Sequence, residues 1–366
     1  MLSPLYHLAL ATLALPTTAT PLQSYNANPA SVSVSGFSSG GFMAAQLGIA
    51  YSDTFKLGFG VFAGGPYDCA RNQPNKTCMF NNTPSITTPT SNLLAFSAEG
   101  KIDPVDNLKS RRVFMQVGEL DVTTGPAVLS QLKAQLEEEG GGLTRPEETT
   151  YILTENATHT FPTDFDAPLN SVCSGKSASP YISNCGYDGA GAVLRWLYGS
   201  LEARRSLSLG GLTGAIVDFD QVDEFGALGM GRTGYVYVPG ACVNGETVCR
   251  LHVVLHGCLQ SPEYIGTGFV EGTGYNSWAD ANNIIVLYPQ TTIDNTLRTI
   301  WDGERHGNPY ACWDWIGLYG EDIDWKGGVQ MAAIVNMVRR ITAGYSGPEG
   351  EGRGVYNQRI LGKSEL

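Results

Sequence analysis

The order of its segments predicts an α/β protein with a mostly parallel central sheet and helices on both faces. Short apolar runs of strand length alternate with longer runs of helical spacing, the pattern of successive βαβ units. Neither an internal repeat nor a long linker interrupts that alternation. Early in the chain, an apolar strand turns through glycine and serine directly into an Ala-rich, helix-prone run.

The elements follow in order. Val32 and Val34 alternate with Ser33 and Ser35, as on a half-buried strand, so Val32–Ser35 is the first strand. Gly36-Phe37-Ser38-Ser39-Gly40 turns it into a helix over Gly41–Tyr51. Further strands are expected over Lys56–Ala63, Arg112–Gly118, Thr150–Thr154, Gly234–Val238, Leu251–His256 and Ile284–Tyr288. Helices are expected over Ala127–Glu138, Gly189–Glu202, Ser277–Ala281 and Gly328–Ala343. The last repeats apolar residues at Val329, Ala332, Ala333, Val335 and Ile341, ends near Gly344 and precedes Pro348. Glu137–Glu148 is acidic, holds three consecutive glycines and reads as a surface insertion. Residues 20–346 are expected to form one catalytic domain, and residues 347–366 a disordered tail.

Residues 1–19 read as a secretory signal peptide. Leu5 to Leu15 is apolar apart from His7 and Thr12, and small residues run to Ala19, where cleavage fits a small-x-small site. That run is too short to span a bilayer. Sequons at Asn75, Asn81 and Asn156 agree with passage through a glycosylating compartment. The end, Lys363-Ser364-Glu365-Leu366, lacks the Asp of a K-D-E-L retention signal. Eight cysteines, all after the signal, suit an oxidising compartment. Cys69 and Cys78, Cys173 and Cys185, and Cys242 and Cys249 each flank a short loop; if those pairs form, Cys258 and Cys312 remain. Spacing alone does not choose among the possible connectivities. With no C-x-x-C and no H-E-x-x-H, no metal site is expected. A formal net charge of -12 argues against nucleic acid, whose phosphates need a basic face, while a neutral or insoluble substrate is compatible.

The chemistry centres on Ser38. Strand, G-x-S-x-G turn and helix together make the context of a nucleophile elbow, which exposes Oγ on a sharp turn. Among 45 glycines chance matches to that pentapeptide are common, so the weight rests on the flanking strand and helix. The N–H of Ser39, at the helix start, is placed to stabilise an oxyanion. A base is needed, and His159 follows the strand Thr150–Thr154 at its C-terminal end. His252 lies inside a strand and reads as structural, and His306 sits in a polar loop. The orienting acid should end a strand between serine and histidine; Asp121 does so, with Glu119 as near rival and Asp164 and Asp166 too close after His159. His256-Gly257 ends a buried strand in the form of the oxyanion loop of α/β-hydrolases, which makes Cys258 N–H the second donor. That strand normally precedes the serine, and here it follows it. A circular permutation of the α/β-hydrolase fold accounts for the order.

Taken together, these residues resemble extracellular poly(3-hydroxybutyrate) depolymerases of the single-domain fungal type. The matching stretches are S-V-S-V-S-G-F-S-S-G-G-F-M-A-A-Q, G-F-G-V-F-A-G-G-P-Y-D-C-A, H-T-F-P-T-D-F, Y-I-S-N-C-G-Y-D-G-A-G, L-H-V-V-L-H-G-C-L-Q and C-W-D-W, spread from Ser31 to Ala343. The resemblance implies a secreted, monomeric serine esterase with Ser38 as nucleophile, Asp121 as orienting acid, His159 as base and the Ser39 and Cys258 amides as oxyanion donors. It also implies that Trp313, or else Trp315, holds a water-insoluble polyester or its oligomers in a crevice, with no cofactor and no membrane partner. Trp301 and Tyr310 read as packing residues. A glycan at Asn156, three residues before His159, would crowd such a crevice. Two rivals remain: a secreted feruloyl or acetyl-xylan-type esterase of the same fold, separated by assay on polyester film against feruloylated or acetylated xylan, and an inactive binding protein, separated by organophosphate labelling of Ser38.

Overall fold

A computed structural model describes residues 20–167, 170–206 and 211–347. The expected signal peptide at residues 1–19 and the expected tail after Gly347 lie outside the described residues. Eight strands form the main sheet: β1 (Ala27–Phe37), β2 (Gly58–Phe62), β3 (Arg112–Gly118), β4 (Thr149–Thr154), β8 (Ala215–Asp220), β9 (Thr233–Val238), β10 (Cys249–Leu255) and β11 (Ile284–Tyr288). Between them in the chain, β5 (Phe161–Thr163), β6 (Ser171–Val172) and β7 (Ile182–Asn184) make a small parallel sheet. A hairpin of β12 (Asp294–Thr299) and β13 (Arg305–Asn308) follows the main sheet. The helices are α1 (Ser39–Ala50), α2 (Thr87–Ala98), α3 (Pro126–Glu137), α4 (Gly189–Tyr198), α5 (Val222–Phe225), α6 (Pro262–Ile265), α7 (Gly268–Gly272), α8 (Tyr275–Asn282) and α9 (Val329–Thr342).

The sheet runs β4-β3-β2-β1-β10-β11-β9-β8, parallel except where β9 pairs antiparallel with β11 and β8. From β1 the chain lays strands outward on one side, then returns from its later part to fill the other. β1 and β10, distant in sequence, therefore become neighbours, with Gly36 opposite Leu255. This is the strand order of the permuted α/β-hydrolase arrangement.

Both sheet faces are covered. A Cβ at Gly48 of α1 would strike Phe59, whereas one at the next strand residue, Gly60, would strike Val193 of α4. Adjacent strand residues point to opposite faces, so α1 and α4 lie on opposite sides. Covering both faces changes the reading of β1. Val32 and Val34 are buried, but so are Ser33 and Ser35. Parallel strands covered twice have no wet face. The serines satisfy themselves internally, at 2.7 and 2.8 Å from the two ring nitrogens of His252 and with the hydroxyls of Tyr198 and Tyr275.

Three further differences from expectation have physical causes. β8 is an edge strand with polar residues in its pattern (A-I-V-D-F-D), so periodicity did not mark it. The helix α2 contains four residues of poor helix propensity in T-T-P-T, yet its proline falls in the first turn, where a missing N–H costs little. Within Glu137–Glu148, Leu143 and Thr144 are buried, and Thr144 N–H donates to Leu136 O at 2.9 Å; the segment folds back onto α3. The cysteines pair as Cys69–Cys78, Cys173–Cys185, Cys242–Cys249 and Cys258–Cys312. Arg71 adds a buried clip, pairing with Asp68 at 2.6 Å and Asp324 at 2.8 Å while its guanidinium lies 3.9 Å from the Trp301 ring.

Candidate active site

The site forms where β1, β3, β4 and β10 end together. At the end of β1 the chain reverses so sharply that Ser38 takes φ 57 and ψ -120. A conformation this sparse for a non-glycine costs about 1–3 kcal/mol. The surroundings hold it: Ser38 N–H donates to Phe62 O at 2.8 Å, and Ser38 O accepts from Gly41 and Phe42. No side chain fits at either flanking glycine. A Cβ on Gly36 would lie 2.0 Å from Gly40 O, and one on Gly40 would lie 2.4 Å from both Leu255 O and His256 O.

β3 leads into Gly118-Glu119-Leu120-Asp121, and Leu120 N–H donates to Ala157 O across to the loop after β4. This places Asp121 Oδ2 2.8 Å from His159 Nδ1, and His159 Nε2 2.9 Å from Ser38 Oγ. Asp121 Oδ1 accepts from the N–H groups of Thr123 and Thr124 at 2.8 and 3.1 Å. Burial opposes ionisation of Asp121, yet His159 and the two N–H donors outweigh it and hold the carboxyl below its ordinary range. The imidazole is seated by Phe37, whose ring centroid lies 4.8 Å away. The rival Glu119 is exposed and accepts from Asn156 N–H at 3.0 Å. Asp164 pairs with Arg204 at 2.6 Å, and Asp166 accepts from Asn184 at 3.1 Å.

Beside the serine, the loop after β10 is clamped by its own side chains. His256 Nδ1 lies 2.7 Å from Gly257 O, and His256 Nε2 accepts from Thr291 N–H at 3.2 Å, which leaves the proton on Nδ1. Gly257 N–H donates to Gln260 Oε1 at 2.6 Å. In a trans peptide the C=O and the following N–H point opposite ways. Fixing Gly257 O on His256 therefore fixes the direction of Cys258 N–H. Among the described residues, neither Cys258 N–H nor Ser39 N–H has a hydrogen-bond acceptor.

A cavity of about 620 Å³ opens over Ser38, and Ser39, His159 and Cys258 line it too. The Cys258–Cys312 disulfide ties the clamped loop to the segment that forms the adjoining wall. In that wall Trp313 is 1% exposed, its ring centroid 5.7 Å from that of His256, and its backbone N–H donates to Ser39 Oγ at 3.3 Å. It lines the cavity as a buried backing and offers little surface to a bound chain. Trp315 is half-buried and stacks on Phe42 with centroids 4.3 Å apart. Tyr310 contradicts its packing reading: it is 57% exposed at the cavity, as is Phe80. Nothing local marks Phe80, an isolated aromatic in a polar loop, whereas Tyr310 stands two residues before Cys312 in an aromatic-rich stretch. Trp301 packs against Arg71, as its sequence context suggested. Of the sequons, Asn156 is exposed and outside the cavity lining, while Asn75 is 9% exposed and lines it. Asn81 Oδ1 accepts from Ala127 N–H in the first turn of α3. His252 is fully buried in its serine network, and His306 lies 3.2 Å from Glu304 at the cavity edge.

No family model matches the chain. A polyhydroxybutyrate depolymerase from Talaromyces funiculosus is 56% identical over 329 residues, 90% of this chain and 94% of that protein. A poly(3-hydroxybutyrate) depolymerase from Delftia acidovorans is 41% identical over 320 residues, 86% of this chain but 60% of that protein. Among solved structures, the crystal structure of the PHB depolymerase from Penicillium funiculosum superposes with a TM-score of 0.85 at 56% identity, covering 89% of this chain and 100% of that one. A PHB depolymerase complexed with an R3HB trimer gives the same TM-score at 55% identity and the same coverage. Identity at this level over nearly the full length of a relative, on the same fold, makes the chain a member of the poly(3-hydroxybutyrate) depolymerase family.

Proposed function

We propose that the chain is a secreted serine esterase that hydrolyses poly(3-hydroxybutyrate) and its oligomers, with Ser38 as nucleophile, His159 as base and Asp121 as orienting acid. The hydrogen-bonded run Ser38–His159–Asp121 beneath an open cavity is the observation that carries this reading. Ser38 Oγ gives its proton to His159 and attacks the ester carbonyl. The negative charge on the carbonyl oxygen is taken up by Ser39 and Cys258 N–H; loss of one such donor typically costs about 10²–10³ in rate. His159 then protonates the leaving 3-hydroxyl oxygen, and water, activated by the same ring, releases the acyl group as a carboxylate.

Trp315, Tyr310 and Phe80 supply apolar surface for an aliphatic polyester, with Trp313 behind them. The triad and the cavity lining are complete within one chain, and the reading extends to action as a monomer by a single catalytic domain over residues 20–346. Four disulfides and the apolar segment at residues 1–19 support secretion with signal cleavage. No helix among the described residues is long and apolar enough to cross a membrane. Asn156 and Asn81 are the exposed sequons and the better glycan sites, because a glycan on Asn75 would stand in the cavity.

The test is clearing of a poly(3-hydroxybutyrate) suspension by the purified protein beside Ser38→Ala. Clearing by the wild type alone is expected. Equal clearing by both would remove Ser38 from its role. Cleavage of a small nitrophenyl ester without clearing would leave the chemistry and remove the polymer.

A further inference from the structure

One stretch of the cavity wall is cationic. Lys76 and Arg305 line it, with the imidazole of His306 beside Arg305 in the chain, in a protein of formal net charge -12. The lining holds one carboxylate, Asp314, which is 3% exposed and accepts the N–H groups of Ile316, Leu318 and Tyr319. Two other carboxylates stand near. Asp302 accepts from Asn75 N–H at 3.3 Å and Glu304 N–H at 3.0 Å, and Glu304 itself lies 3.2 Å from His306. Among the described residues neither Lys76 nor Arg305 has an ion-pair partner, and the Arg305 side chain donates to Leu297 O at 3.2 Å. Arg71, Arg204, Arg232 and Arg298 all do have carboxylate partners.

Lys76 and Arg305 line the same cavity as Ser38 and His159, and the segment that carries Lys76 is tied by backbone to the loop of Asp121. Thr123 N–H donates to Asp121, Phe80 N–H donates to Thr123 O at 2.8 Å, and Lys76 stands four residues before Phe80, inside the loop that the Cys69–Cys78 disulfide closes. A neutral ester repeat makes no use of two cations. The terminus of a hydroxyacid oligomer does, because it ends in a carboxylate.

We propose that Lys76 and Arg305 bind the terminal carboxylate of a 3-hydroxyalkanoate oligomer, so that the site prefers free-acid oligomers to the same oligomers capped as esters. The proposal rests on the polyester reading above. In such an oligomer the carboxylate belongs to the segment that leaves as the alcohol. Ser38 Oγ bonds to the carbonyl carbon, the C–O bond to that segment breaks, and its oxygen takes the proton carried by His159. The segment held by Lys76 and Arg305 is therefore the first product, and its charge is unchanged by the reaction.

The experiment compares KM for the (R)-3-hydroxybutyrate trimer as free acid and as methyl ester. For wild type, KM for the acid should be lower by roughly tenfold, the scale of one charge-assisted contact at a half-open site. That advantage should shrink in about 0.5 M NaCl, where exposed charges are screened. In Lys76→Gln/Arg305→Gln the two KM values should converge, and in Lys76→Glu/Arg305→Glu the acid should become the poorer substrate. Equal wild-type KM values, or a preference for the acid that neither salt nor the variants touch, would overturn the proposal. If the variants do not fold, the wild-type salt dependence decides alone. Cleavage of the methyl ester without preference removes only this proposal, whereas failure to cleave either trimer removes the polyester reading and this proposal with it.

Discussion

Asp121 is 1% exposed, yet it stays ionised because His159 and two backbone N–H donors sit against its oxygens. Its position also selects a tautomer. With Nδ1–H given to Asp121 Oδ2, Nε2 is the acceptor that faces Ser38. An amide in that place keeps the shape but can donate to Nδ1 and favour the other tautomer. Asp121→Asn should therefore lower kcat on a soluble nitrophenyl ester by about 10⁴-fold with little change in the unfolding midpoint. A loss below tenfold would mean that the acid lies elsewhere, with Glu119 the first to examine. At this scale the local pattern of a serine turn and two strand ends, read in chain order, singled out three side chains that meet in space. It left Glu119 and Asp121 to be separated by direction: only the structure shows Glu119 turned to solvent against Asn156.

The crossing of β1, α1 and β10 is the tightest joint in the site. Ser39 N–H belongs to the start of α1 and Cys258 N–H to the loop after β10, so the gap between these elements sets the gap between the two donors. Gly40 faces backbone carbonyls of β10 and of His256, which cannot rotate aside. Gly40→Ala should lower stability by about 1–3 kcal/mol through overpacking. By pushing α1 from β10 it should reduce ester hydrolysis well beyond what partial unfolding explains. Urea unfolding and hydrolysis measured on one preparation check this, and a variant with wild-type values in both would sink it. Of the elements, β3 and β11 were legible to the residue because they are short, apolar and sharply bounded. β8 and α2 were not, since an edge strand carries polar residues and α2 begins on threonines and a proline.

Over the whole molecule, acid stability is set by groups that oppose one another. Burial lowers His252 to about 3 and His256 to about 4 from 6.5, so the folded state leaves both neutral while the unfolded chain takes up protons below 6.5. Their contribution is present above pH 6.5 and is lost as pH falls toward 4; each tenfold change in proton affinity is worth about 1.4 kcal/mol. Asp324 works the other way. Burial and the neighbouring Asp68 raise its carboxyl well above 3.8, so it destabilises the fold as pH climbs past that value and relieves it as pH falls. Asp314, also raised by burial, adds to it. Asp324→Asn should therefore steepen the fall in unfolding temperature between pH 6.5 and 4.5, as calorimetry at several pH values would register. An unchanged slope would show that Asp324 is ionised throughout.

By itself the sequence determined the α/β class, the serine turn and the strand ends that carry Asp121 and His159. Those features follow from local periodicity and from the sterics of a turn that admits only glycine two residues to either side of the serine. Tertiary structure alone decided that Ser33 and Ser35 are buried on His252, that Trp313 backs the cavity while Tyr310 and Phe80 face it, and that Lys76 and Arg305 line the same cavity. Each of these depends on which distant segments pack together. Burial and charge partners belong to that packing and leave no mark on the few residues around any one position.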